Sequence, residues 1–495
     1  MNALQPLLES GRYGRTAELE AADLVLDYER VPGAVTAEWV YVPVVAFAST
    51  AESLRWSDVQ RYWAGEPEAL LSLSTTTTPP TFVATPETLR AMTSLLGNPA
   101  PNLPLQLVAD HPALVAALWE GRAAAWGILA FHDLDMQTKV LTLDRADVFS
   151  DAFVAEDYPL TTRLNLKGET EALGQAVDDL NALGTWQATN RNPERLTRLV
   201  LTGVTALSRA TAFQMEQRGI TVPADGIMPF IEDAHLLHTS NEVAFAENCP
   251  FPDPYGGVIF CSQDEYLGLL THIGLDIVEL TGNHVNDYGP AAFRRTLDIY
   301  AANNIATYGG GYTPEDARDA YLTTHQGNSL AFIGCNAVGP FTAWASETRE
   351  GSAPCDEAFL EAEVARLAAE VDVVVLSFQE FEFYRYSVGL EQLRRFEKYA
   401  ALGADVIIGS QAHQPQGFTF SSGAFLHHGL GNLFFDQMQN IGTRQMFIDK
   451  VIIYEGRVIN VVLFTGLIEE FCCPRPMTAP ERVDFLNTIF GASGW

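Results

Sequence analysis

Beyond about residue 197 the chain alternates short runs of Val, Ile, Leu and Phe with longer stretches whose apolar residues recur every three or four positions. The runs "RLVLTGV", "DIVELTG", "NIATYGG", "SLAFIGC", "VDVVVLSF", "ADVIIGS", "AFLHHGLGNLFF", "QMFIDKVIIYE" and "VINVVLFTG" predict buried strands. Between them, "QDEYLGLLTHIG", "PAAFRRTLDIYAAN", "CDEAFLEAEVARLAAE" and "GLEQLRRFEKYAALG" carry the spacing of amphipathic helices. Such alternation predicts layered α/β structure with a partly parallel sheet, a class that places ligands at the carboxyl ends of its strands.

Residues 1–165 have a different texture, that of a smaller α/β domain. "EWVYVPVVAFAS" and "LPLQLVAD" read as strands, "HPALVAALWEGRAAAWGIL" as a helix interrupted by Gly, and "STTTTPP" as a loop or extended edge. The order of these pieces resembles part of an extracellular solute-binding protein of the oxyanion-binding type. No Gly-rich or Ser/Thr-rich anion nest stands out in it. Residues 166–196, with "TEALGQAVDDLNALGTWQ" and "NPERLTRL", read as a helical linker. Residues 197–475 form the main domain and 476–495 a helical tail.

The length of 495 residues exceeds what one core ordinarily organises, and 47% apolar residues supply packed domains. Lys and Arg total 30 against 62 Asp and Glu, a formal charge of −32, which opposes broad contact with nucleic-acid phosphates. No run of apolar residues is long enough to cross a bilayer, and the first 29 residues lack the basic head and apolar core of a signal peptide. All six cysteines lie beyond residue 240. Cys249 with Cys261 and Cys335 with Cys355 bracket Gly/Pro-containing loops and are expected as disulfides, which points to an oxidising exterior. Cys472 and Cys473 are adjacent and carry no pairing expectation.

Four polar clusters fall at predicted strand ends. They are "TSNEVAF" with Asn241 and Glu242; "TGNHVNDYG" with Asn283, His284, Asn286 and Asp287; "SFQEFEFYR" with Gln379, Glu380, Glu382 and Arg385; and "GSQAHQPQG" with Ser410, Gln411, His413 and Gln414. Convergence of these clusters is the site expectation. Imidazole and carboxylate suit zinc, manganese or iron. Phe341, Trp344, Phe381, Phe383, Tyr384 and Tyr386 are equally compatible with a sugar-stacking rim and with an ordinary buried wall. "YGGGYTP" lacks the Gly-Lys-Ser/Thr tail of a phosphate loop and reads as a tight turn.

Taken in order, "GVTALSR", "SNE", "TGNHVNDYG", "NNIATYGGG", "VVVLSFQEFEFY", "GADVIIGSQAHQPQ" and "HHGLGNLFFDQ" resemble the CapA family of capsule and poly-γ-glutamate synthesis proteins, over roughly residues 197–465. The resemblance implies a four-layer sandwich built on a calcineurin-like metallophosphoesterase core. It keeps Glu242, Gly282, Asn283, His284, Asn286 and Asp287, and adds Arg209 and Asn432 to the expected binding residues. Val204 stands where the family's opening Gly-Asp motif has its Asp. Gln379 stands at a strand-end histidine, and Gly409, Ser410, Gln411, Ala412 and His413 fall on a Gly-His-His-Pro-His motif, of which only the last histidine survives. Valine offers no donor atom, and a dinuclear centre needs a bridging carboxylate between its cations.

The resemblance therefore implies none or one divalent metal, Zn or Mn, held by His284, His413, Glu242 and Asn283. The expected function is a cell-surface role in capsule or poly-γ-glutamate synthesis or anchoring, by polymer binding at a degenerate metal site. The alternative is a mononuclear-metal hydrolase of an amide or phosphoester bond, with His284, Asp287 and His413 catalytic. Expected partners are an anionic polymer or glycan and membrane-bound synthesis proteins, but no nucleic acid. An extracellular location, with a lipid anchor on a segment outside this sequence, completes the expectation.

Overall fold

The computed structural model describes residues 5–16, 18–27, 35–183 and 188–495. The chain divides into two compact units, Met1–Pro193 and Glu194–Trp495.

The first unit is a mixed sheet with helices. Its strands are β1 (Leu24–Asp27), β2 (Val35–Ala46), β3 (Thr81–Ala84), β4 (Leu105–Leu107), β5 (Ala125–Ala130) and β6 (Thr161–Gly168), in the order β1-β6-β2-β5-β3-β4. Helices α1 (Trp56–Trp63), α2 (Pro86–Leu96) and α3 (His111–Glu120) intervene. The segment expected as one interrupted helix splits at Gly121 into α3 and β5. All six residues of β5 are buried, so its apolar run reflects a central strand covered on both faces. The stretch 166–196 is also not a separate join. It contains the end of β6 and helix α4 (Thr170–Ala182), whose Ala176 and Leu180 pack with Leu166 and Leu7, and the division between units falls after Pro193. Residues 184–187 of that stretch lie outside the described residues.

The second unit is a four-layer α/β sandwich. One sheet runs β10 (Ala306–Tyr308), β9 (Ile277–Glu279), β8 (Leu236–Asn241), β7 (Leu196–Thr205), β18 (Gln445–Tyr454), β19 (Arg457–Glu469) and β20 (Cys473–Pro476). Strands β7 to β10 are mutually parallel, and the short β17 (Asn432–Phe434) also pairs with β7. The second sheet runs β11 (Tyr321–His325), β12 (Asn328–Asn336), β13 (Val373–Gln379), β14 (Val406–Ser410), β16 (Ala424–His427) and β15 (Phe418–Ser421). Its core, β12, β13, β14 and β16, is parallel. The run "AFLHHGLGNLFF" thus supplies two strands in different sheets, parted by Gly429–Gly431.

Helices cover the outer faces. α5 (Arg209–Arg218) and α6 (Pro290–Ala302) place Ala212, Met215, Phe293, Leu297 and Tyr300 against Val200, Leu237 and Val278 of the first sheet. α7 (Glu357–Glu370) and α8 (Leu390–Ala401) place Leu360, Val364, Leu367, Phe396 and Tyr399 against Val374, Leu376 and Ile407 of the second. The facing sheets meet through polar pairs as well as apolar ones. Ser377 donates to the Tyr308 hydroxyl at 3.0 Å, Ser410 reaches Glu279 at 3.1 Å, and His427 meets Asp449 at 2.5 Å. The C-terminal helix α9 (Ala479–Ala492) opens with a capping box of Thr478 and Glu481 and stacks Phe485 on Phe447.

Three disulfides are present: Cys249–Cys261, Cys335–Cys355 and Cys472–Cys473. The first two are the expected pairs. Among the described residues no helix is long and apolar enough to cross a membrane.

Candidate functional site

Because β7, β8, β9, β13 and β14 all run the same way within their sheets, the loops that follow them carry the polar clusters. Close backbone approach is built in at two glycines. A Cβ on Gly203 would collide with the Gly431 carbonyl, and one on Gly282 would collide with Glu242. Three non-glycine residues here, Arg209, Gln411 and His413, hold positive φ of 44°, 73° and 55°. Such conformations persist where surrounding contacts impose them, and they gather at functional sites.

Those contacts are specific. The His284 Nδ1 lies 2.7 Å from Asp287 Oδ2, which also accepts the Phe260 backbone N–H at 2.8 Å. Burial pulls the imidazole pKa down, but the hydrogen bond to Asp287 and the carboxylates of Glu242 and Asp287 outweigh it, so His284 is raised. His413 Nδ1 lies 2.7 Å from Asn432 Oδ1, and Asn432 donates its own N–H to the Thr443 carbonyl at 3.0 Å. That second bond fixes the amide with oxygen toward His413, so Nδ1 of His413 carries the proton and Nε2 is the uncommitted nitrogen. The two rings stand on one aromatic wall. His284 packs on Phe260 at 4.3 Å between centroids, His413 on Phe435 at 5.2 Å, and the phenylalanines meet edge to face at 6.1 Å.

Arg209 lies over both phenylalanines, at 4.6 and 5.1 Å, and pairs with Asp436. Asp436 also accepts the Ala210 backbone N–H at 2.9 Å, which caps the start of α5. Beside Arg209 and Phe260 a cavity of about 110 Å³ opens against the Cys249–Cys261 loop. Glu242 is buried, and neither carboxylate oxygen has a hydrogen-bond partner; Arg209 Nε is likewise buried without one.

The remaining positions form a neutral chain. Ser410 donates to Gln379 Oε1 at 2.9 Å, and Gln379 Nε2 donates to Gln411 Oε1 at 2.5 Å and to Asn283 Oδ1 at 3.1 Å. Thus Arg209, Glu242, Asn283, His284, Asp287, Gln379, Gln411, His413 and Asn432 are brought to one region.

Five expected residues are spent elsewhere. Asn241 is consumed by the Tyr300 hydroxyl and by the Val243 backbone. Asn286 donates to the carbonyls of Thr342, Ala343 and Glu350 and so latches a neighbouring loop. Glu380 is buried in an ion pair with Arg395 of α8, burial holding its carboxyl above the usual range. Exposed Glu382 accepts from Tyr384, and exposed Arg385 stacks on Phe383 at 4.8 Å. For three of these residues the strand end is the reason: β13 stops at Gln379, so Glu380, Glu382 and Arg385 lie in the loop beyond it, where strand geometry no longer aims side chains at the site. Sequence reasoning in turn passed over Asp436, Phe260 and Phe435. Asp436 directly follows the apolar "NLFF", and a charge there is the one signal that marked it.

The donor set does not fit a pair of metal ions. Val204 is a buried apolar residue in register with Asn432, and Gln379, Ser410 and Gln411 satisfy one another. Among the described residues no group of three His, Cys, Asp or Glu side chains is gathered that could hold a metal ion.

Residues 198–437 match the family model described as bacterial capsule synthesis protein PGA_cap. The matched residues lie within the second unit, Glu194–Trp495. The "PGA biosynthesis protein CapA" of Bacillus subtilis (strain 168) is 24% identical over 230 residues, 45% of this chain and 59% of that protein. The chain thus spans less than two thirds of that relative. Among solved structures, a 5'-nucleotidase precursor from Thermus thermophilus aligns at 13% identity with a TM-score of 0.35, covering 60% of this chain and 59% of that one. An ABC-type phosphate transport receptor from Vibrio cholerae aligns at 16% identity with a TM-score of 0.27, covering 36% and 80%.

Proposed function

We propose that the protein serves capsule or poly-γ-glutamate assembly outside the cytoplasm by binding an anionic polymer, and that it does so without metal-dependent turnover. The observation that carries this reading is the self-satisfied chain Ser410–Gln379–Gln411, joined to Asn283 through Gln379 and standing where the family resemblance implies ligating imidazoles at its first three members. Amides keep directional hydrogen bonding while giving up the strong ligation that imidazole provides. Polar support for an anionic group comes from the raised His284 and from Arg209. The family match and the printed name of the Bacillus subtilis relative support the capsule context, and the three disulfides support an oxidising compartment. Membrane-bound synthesis proteins are its proposed partners.

The test is calorimetric titration of the purified chain with γ-linked glutamate oligomers in chelator, beside assays on an aryl phosphate, a phosphodiester and poly-γ-glutamate with added Mn or Zn. Saturable binding with no turnover is expected. Metal-dependent hydrolysis of any substrate, abolished in His284→Ala, would establish the hydrolase instead.

A further inference from the structure

We propose that Glu279, buried between the two sheets, fixes the site's amides with their N–H groups outward, so that the site selects an acceptor-only carboxylate over an amide. This rests on the binding reading above and names the ligand chemistry of the same site.

Glu279 is the last residue of β9 and is 0% exposed. Its neighbours are hydroxyls: Thr281 and Ser410 at Oε1, with Ser240 and Ser377 close by. Two ionisable groups lie beside it, His238 and Tyr308. His238 Nε2 is 4.0 Å from Oε2, too far for a hydrogen bond, and is engaged by the Tyr308 hydroxyl at 2.8 Å. Burial pushes His238 down to about 3 and Tyr308 up, so both are neutral. Among the described residues neither neighbour is a cation that could pair with an ionised Glu279, and desolvation outweighs the hydrogen bonds of the surrounding hydroxyls, so its carboxyl is raised.

A neutral carboxyl is a donor, and that decides the direction of every bond beyond it. With Glu279 protonated, the 3.1 Å contact between its Oε1 and Ser410 Oγ is donated by the carboxyl, and Ser410 spends its single hydrogen on Gln379 Oε1 at 2.9 Å, nearer than the Phe378 carbonyl at 3.3 Å. Gln379 Oε1 thus faces Ser410, and its Nε2 must face Gln411 Oε1 and Asn283 Oδ1. The two outer amides are left presenting Gln411 Nε2 and Asn283 Nδ2. An ionised Glu279 would reverse the chain. Ser410 would donate inward, Gln379 would turn over, and Gln411 and Asn283 would offer carbonyl oxygens, which repel a carboxylate. One buried proton thus sets the hydrogen-bonding polarity of a surface built from residues that are indifferent to it by type.

Calorimetry on the full chain tests this with two probes, a γ-linked glutamate oligomer and its fully amidated counterpart. Glu279→Gln keeps a donor at the same place and should bind the oligomer within about twofold of the natural protein. Ser410→Ala cuts the chain, so the preference for carboxylate over amide should narrow by about tenfold; loosening of the fold alone would weaken both probes equally. Glu279→Gln losing that preference with an unchanged melting temperature would overturn the proposal, as would Ser410→Ala retaining it. Failure of the natural protein to bind either probe is a different result, and it removes the binding reading itself.

Discussion

His284 and His413 are both tied at Nδ1, and the ties differ in charge. Asp287 holds one imidazole and Asn432 the other, at 2.7 Å in each case. Only the carboxylate favours imidazolium, which is why His284 is raised although burial works against it. Asp287→Asn keeps the hydrogen bond and removes the charge, so the His284 pKa should fall. Proton NMR titration of the imidazole measures it, and an unmoved midpoint would exclude Asp287 as the cause. The sign for binding follows. Affinity for an anionic oligomer should decline as pH rises through the raised His284 pKa, and in Asp287→Asn the decline should begin at lower pH.

At the scale of elements, loops that carry little core are fastened covalently or by polar clasps. Cys335, the penultimate residue of β12, is joined to Cys355, and Asn286 holds the intervening segment at Thr342, Ala343 and Glu350. Closing a loop of this size restricts the unfolded chain, so Cys335→Ser with Cys355→Ser should cost about 3 kcal/mol in urea unfolding. A loss below ~1 kcal/mol would mean that packing alone orders the segment. Between β13 and β14, Asp405 accepts the Val374 backbone N–H at 2.8 Å, and burial pushes its carboxyl up to about 6 from 3.8. A folded pKa above the unfolded one means that this group's stabilising contribution is complete below the unfolded value and is lost as pH rises through about 6. Asp405→Asn keeps an acceptor for Val374 and should therefore raise the melting temperature more at about pH 8 than at about pH 4. Equal shifts at both would remove Asp405 as the source.

Over the whole molecule, a formal charge of −32 surrounds a site proposed to take an anion. Long-range repulsion between two polyanions is relieved by salt, whereas short-range hydrogen bonds in a buried site are screened much less. Binding of γ-linked glutamate oligomers should thus strengthen from about 20 to about 150 mM NaCl, opposite to the behaviour of a basic groove. Calorimetric titration across that range measures it, and weakening with salt would point to a positive surface as the true docking face.

What the chain's own pattern determined is set by periodicity and by local chemistry. Apolar runs such as "VDVVVLSF" and "ADVIIGS" specify buried parallel strands, because only a strand covered on both faces needs such continuity. Cysteines that bracket Gly/Pro loops specified two of the disulfides, and "GNH" followed by Asn and Asp specified a tied His284–Asp287 pair beyond a strand end. Tertiary structure decided the rest, because the deciding contacts are remote in sequence. Which carboxylates serve the site depended on facing: Glu242 turns in with no partner, whereas Glu380 turns out to Arg395. Whether "AFLHHGLGNLFF" is one strand or two depended on the second sheet standing beside the first. The role of Glu279, an acidic residue in an otherwise apolar run, appeared only when β14 brought Ser410 against it from the other sheet, since burial and hydrogen-bond direction are properties of an assembled interior.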